Sequence, residues 1–148
     1  MIRYIILFLF VSQAATTNWV ANDITGIWWN KDKDAKIKIY SSYSKYYGQI
    51  HWLKNPIDSV TNKPKLDKNN PKKEEQKRPI QGLLILKNLV WDEDDQEWSD
   101  GDIYDPKSGN TYSLTCKMKD KNTLELRGYI GISLLGRTDY WTRVEEDK

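Results

Sequence analysis

The residues best suited to binding chemistry in this 148-residue chain fall mostly in one segment: Asp67, Asn70-Pro71, Arg78-Pro79 and Gly82. A guanidinium grips a carboxylate or phosphate through two parallel N–H bonds, which makes Arg78 a candidate anion ligand. Asp67 and Asn70 can accept nearby backbone N–H groups, and proline fixes φ, so the same segment can order itself from within. Its bland use is structural: Arg78 pairs with Asp67 and ties a long loop down, and this is the more economical of the two. Arg127 and Arg137 lie among Gly128, Gly131 and Gly136. An arginine turned to the inside of a closed sheet binds an anionic head group. Beside Leu126 in an alternating stretch, Arg127 falls on the outside, while Arg137 is open to either side. Trp52, Tyr104 and Tyr112 join Asp67, Asn70, Arg78 and Arg137 as the expected ligand-binding set.

Catalytic chemistry has little to stand on. His51 is the one His, so a three-His zinc site is impossible. Cys116 alternates with apolar neighbours and reads as buried and inert. Residues 131–135 lack the closing Gly of a nucleophile elbow. The acidic run 92–97 lacks the Gly and terminal Glu of a calcium loop, so it reads as a solvated turn. Asp100 and Asp102 stand about 7 Å apart on one strand face, a glycosidase-like spacing that a polar outer face explains as well. The expectation is a protein that is not an enzyme and uses no cofactor and no metal.

The elements that must position these residues are strands. Polar and apolar side chains alternate over 36–40, 46–53, 111–118 and 124–127, the mark of a strand with one buried and one wetted face. In this pattern Ile50 and Trp52 share the inner face. With 26–30, 83–89, 97–105 and 137–144 the count reaches about eight. Short connections rich in turn formers join most of them, which predicts an antiparallel meander. Closing such a meander removes its edges and makes an up-and-down barrel; a two-sheet sandwich is the alternative. One connection, residues 54–78 between the third and fourth strands, is far too long for a hairpin. It carries 8 Lys/Arg against 4 Asp/Glu, whereas residues 92–102 hold seven acids and no base. A long connection in a small domain is functional or disordered.

The first fourteen residues read as an export signal. Arg3 is its basic head, residues 4–11 its apolar stretch, and 12–14 a small-x-small cleavage site. No Cys follows for lipid attachment, and the apolar stretch is too short to span a bilayer. Residues 15–148 then form one exported barrel domain, periplasmic or secreted. Loss of Arg3 lowers the net charge from +2 to +1, so no global field draws it to nucleic acid. A single Cys cannot form an internal disulfide, so a core must supply the stability. Loss of Phe8 and Phe10 leaves no Phe beside the 7 Trp of the chain. Every large ring that remains brings an N–H or O–H that needs a partner when buried.

Gly26-Ile27-Trp28 on the first strand and Trp141-Thr142-Arg143 on the last resemble the closing signature of lipocalins and calycins. There an Arg covers a Trp at the barrel base, so Gly26, Trp28, Trp141 and Arg143 are expected to close the structure. The wider series runs from Ile50-His51-Trp52-Leu53 and the 66–71 and 78–83 segments to Ile103-Tyr104-Asp105-Pro106, Gly109-Asn110-Thr111-Tyr112, Leu126-Arg127-Gly128-Tyr129 and Leu135-Gly136-Arg137-Thr138. In this order and spacing it resembles the exported bacterial proteins grouped as domain of unknown function 2147. The resemblance implies a calycin-like barrel and carries no catalytic residue. The function expected from such a fold is binding of a small, hydrophobic or amphipathic ligand, with the long loop as a lid. The alternative is an envelope protein-interaction module in which Trp28, Trp52, Tyr112 and Met118 fill the barrel and leave no cavity.

Overall fold

A computed structural model describes residues 17–145. The expected export signal at 1–14 lies outside the described residues. The strands are β1 (Gly26–Trp29), β2 (Ala35–Ser42), β3 (Lys45–Leu53), β4 (Ile57–Asp58), β5 (Lys63–Pro64), β6 (Leu84–Asp92), β7 (Glu97–Asp105), β8 (Asn110–Asp120), β9 (Thr123–Tyr129) and β10 (Arg137–Arg143). Eight of them close into an antiparallel barrel in the order β1-β10-β9-β8-β7-β6-β3-β2. The sandwich alternative is thereby excluded. The remaining two, β4 and β5, form a small hairpin within the long connection from β3 to β6.

Closure depends on β1 pairing with β10, Trp28 opposite Arg143. The Arg143 guanidinium lies 4.1 Å from the Trp28 ring. It also donates to the carbonyls of Asp23, Thr25 and Lys121 at 2.7, 2.8 and 2.8 Å. Burial lowers its pKa, and nearby Asp23 opposes the shift. Gly26 makes room for this fork, since a Cβ there would meet Arg143 Nη1 at 2.7 Å. Its φ of 130° also suits glycine.

The end near Arg143 is solid. Ile24, Trp28, Tyr46, Leu89, Trp98 and Leu124 are all buried there. The 3₁₀ turn Ala21–Ile24 plugs this end and receives the polar tips of the rings. Trp28 Nε1 donates to the Ile24 carbonyl at 2.9 Å, Trp98 Nε1 to the Ala21 carbonyl at 3.0 Å, and Tyr46 Oη to Asn22 Oδ1 at 3.0 Å. Each of these three rings thus has the partner its chemistry demands. Cys116 is buried in the same core, which pushes its thiol pKa far up and makes it unreactive.

Candidate functional site

The opposite half of the barrel is open. A cavity of about 1020 Å³ enters between the β1–β2, β3–β6, β7–β8 and β9–β10 connections. Its wall is apolar: Ile37, Ile50, Ile85, Ile103, Leu114, Leu126 and Trp141. Inward positions one step deeper, such as Ile39, Leu86 and Leu124, belong to the packed half. Gly128 lines the cavity too, and a Cβ there would meet nothing closer than Tyr112 Cβ at 3.7 Å. The chamber therefore has a dry wall, a solid floor and one mouth, the shape of a small-molecule site.

The rim is polar and largely paired. Lys107 Nζ reaches across from the β7–β8 turn to Asp34 at 3.3 Å and Asp32 at 3.6 Å. Burial works against both charges, but hydrogen bonds from Asn30 and Lys107 hold Asp34 below its ordinary pKa, and the two acids raise that of Lys107. Lys31 pairs with Asp139, and Lys68 with Asp58. The backbone N–H groups of Thr61 and Val60, together with Lys68, pull Asp58 down to about 2.

The long connection is an ordered strap across one side of this mouth. Its knot is Asp67, a fully buried carboxylate. Tyr104 Oη donates to Asp67 Oδ1 at 2.7 Å and Asn70 Nδ2 to Asp67 Oδ2 at 2.8 Å. Arg78 Nη2 stands 3.9 Å from Asp67 and is tied more closely to Glu75. Leu66 bridges to Pro79, and the Asp67 N–H donates to the Arg78 carbonyl at 2.9 Å. Gln76 caps the Asn70 carbonyl, and Asn69 reaches the Lys107 carbonyl at 2.9 Å. Burial and the adjacent Asp67 push the Tyr104 phenol up to about 12.

Of the seven expected ligand-binding residues, Tyr104, Tyr112 and Arg137 do line the cavity. Asp67, Asn70 and Arg78 do not; they spend their polar atoms holding the strap, so the economical structural use is the one the fold adopts. Trp52 requires a sharper correction. In the β2–β3 ladder Lys36 faces Trp52 but Ile37 faces Ile50, so β3 carries one extra residue, His51. A bulge of one residue reverses the alternation beyond it. Trp52 therefore points outward, edge to face with Trp29 at 5.5 Å, with Lys36 Nζ over both rings, and Leu53 turns to the cavity in its place. Trp141, expected in the closing stack, lines the chamber instead. Its indole N–H has no partner among the described residues and is not sealed off, so on an inward position it opens to the cavity. Sequence reasoning passed over Ile37, Ile50, Ile85 and Leu126 as cavity wall, although their inward alternation was the available signal.

The residues singled out for other chemistry lie apart. Asp100, with φ of 58°, is exposed at a bulge of β7, and Asp102 faces Lys87 and Ser113 on neighbouring strands. The acidic 92–97 hairpin sits at the closed end, where Asp92 caps the N–H groups of Asp94 and Asp95. Among the described residues no three His, Cys, Asp or Glu side chains gather as a metal site.

The family model described as "Uncharacterized protein conserved in bacteria (DUF2147)" matches residues 26–143, which is β1 through β10. The chain belongs to the DUF2147 family. The barrel of this DUF2147 protein is similar to a solved structure from Helicobacter pylori, protein HP1028, whose description assigns it to the lipocalin family. The TM-score is 0.70 at 21% identity, over 83% of this chain and 84% of that one. At that identity the likeness shows the fold, an eight-stranded lipocalin-like barrel. No curated protein matches this DUF2147 chain.

Proposed function

We propose that the protein is a binding protein, not an enzyme, that acts in the periplasm or outside the cell and holds a small, elongated amphiphile in its open half. The observation that carries this reading is the half-empty barrel: a cavity of about 1020 Å³ with an aliphatic wall above a packed floor. That volume stands at the upper end of the range for small-molecule sites. The apolar end of the ligand lies against Ile37, Ile85, Leu114 and Leu126. The polar end meets Tyr104, Tyr112, Arg137 and the free indole N–H of Trp141. The lipocalin-like fold supports the reading by analogy. A barrel filled throughout, as the interaction-module alternative required, is not favoured, because the filling stops halfway.

Trp141 makes the test direct. Fluorescence of the protein should shift when long-chain fatty acids or lysolipids are added, and native mass spectrometry should show a bound mass. A Gly128→Leu variant projects a side chain into the chamber and should abolish both signals while unfolding at an unchanged midpoint. Absence of any bound mass and of any fluorescence response would sink the reading.

A further inference from the structure

The mouth of the barrel carries apolar side chains that no packing explains. Ile130, Ile132, Leu134 and Leu135 on the β9–β10 loop are 73%, 59%, 83% and 80% exposed, and Val60 at the tip of the β4–β5 hairpin is 92% exposed. The loop is held in place, not left loose: Arg127 Nη2 donates to the Leu134 carbonyl at 3.1 Å, and the Leu135 N–H donates to the Ile132 carbonyl at 3.2 Å. Both projections border the cavity, through Ile130 and Leu135 on one and Asp58 on the other. The strand order places them on opposite sides of the mouth, the β9–β10 loop three strand steps from β3 by way of β1 and β2 and three from β6 by way of β8 and β7. On the outer wall between them stand Trp29 on β1 and Trp52 on β3, with Lys36 of β2 over their rings.

We propose that these tips, on both sides of the mouth, seat it on an anionic phospholipid bilayer, so that ligand passes between the leaflet and the chamber without crossing water. Three features favour lipid over a protein partner. The projecting tips are aliphatic, whereas protein interfaces are enriched in aromatic residues and Met at their centres. The rings sit behind the tips beside a lysine, the placement of Trp at a membrane–water boundary. The charge is polarised along the barrel: the strap at the mouth holds 8 Lys/Arg against 4 Asp/Glu, while residues 92–102, which run from the closed end, hold seven acids and no base. Among the described residues Lys63 on β5 and Arg137, which borders the cavity at the mouth, are exposed cations with no ion pair. An anionic surface attracts the mouth and repels the floor, and apolar tips with basic neighbours bind membrane interfaces.

The transfer step rests on the ligand-binding reading; the docking does not. Flotation of the full chain with vesicles of phosphatidylcholine, with and without a minority of phosphatidylglycerol, tests it. Residues 1–16 are common to every variant, so any contribution from them cancels. The protein should float with the anionic vesicles and much less with the neutral ones. The Ile132→Ser, Leu134→Ser double variant should bind at least about tenfold more weakly, and Lys63→Ala about fivefold more weakly. Both should still take up a fluorescent fatty acid from water, while Gly128→Leu should lose uptake and keep flotation. Uptake from water without flotation, or equal flotation of the double variant, overturns the docking and leaves the ligand reading standing. Flotation that the double variant loses, without uptake by any form, keeps the docking and removes the ligand. Binding to native envelope membranes that protease treatment abolishes, with none to pure lipid, overturns it in favour of a protein partner.

Discussion

The two halves of the barrel are built from the same strands in the same alternation, yet one is solid and the other hollow. The difference lies in ring size and in where the polar tips go. In the closed half the inward positions hold Trp28, Tyr46 and Trp98, and the 3₁₀ turn at Ala21–Ile24 accepts a bond from each. In the open half the inward positions hold mostly Ile and Leu, which reach only part of the way across an eight-stranded barrel. An aromatic there, Trp141, has no turn to receive its N–H. A plug of hydrogen-bond acceptors, as much as the apolar residues themselves, decides which end of a small barrel fills.

The comparison breaks most visibly at matched tryptophans. Trp28→Ala should cost about 3–5 kcal/mol in urea unfolding, because it opens a hole in a packed layer, removes the ring beneath Arg143 and leaves the Ile24 carbonyl without its indole donor. Trp141→Phe should cost less than about 1.5 kcal/mol, because its N–H has no protein partner to lose, while weakening ligand binding. Equal costs at the two sites would mean that the open half is not hollow in solution.

A smaller effect is expected at the strap, which belongs to the open half but has a buried knot of its own. Asp67→Ala leaves the Tyr104 hydroxyl and the Asn70 amide without their acceptor. It should lower stability by about 2–3 kcal/mol and bring early proteolytic cleavage within residues 54–83. An uncut strap would show that Asp67 is not what holds it.

The smallest effect is one of pH. The folded pKa of Tyr104, about 12, lies above its ordinary value of 10.0. The contribution of the protonated phenol is therefore complete below pH 10 and lost as pH rises from 10 through 12. Unfolding midpoints taken across that window should fall, and Tyr104→Phe should flatten part of the fall. An identical slope in the variant would remove Tyr104 from the account.

Much of the fold was legible because barrel closure is written in local patterns. Alternation over 36–40 and 111–118 became β2 and β8, short turns became hairpins, and Gly26, Trp28 and Arg143 met as their chemistry suggests. The candidate site was legible only in part. Tyr104, Tyr112 and Arg137 reach the cavity; Trp52 misses it because His51 is one residue more than the ladder can pair. Asp67 and Arg78 were visible as residues with a task, but their type alone could not separate tying a strap from gripping an anion.

By itself the sequence determined an antiparallel meander with one long basic connection, because period, turn composition and charge are properties of short windows of chain. Only the tertiary structure decided which end is plugged, which way Trp52 faces and which rings are left unpartnered. Those outcomes depend on side chains from eight strands meeting across a shared interior, and on a single bulge that reverses a strand's faces. No window of the chain contains either.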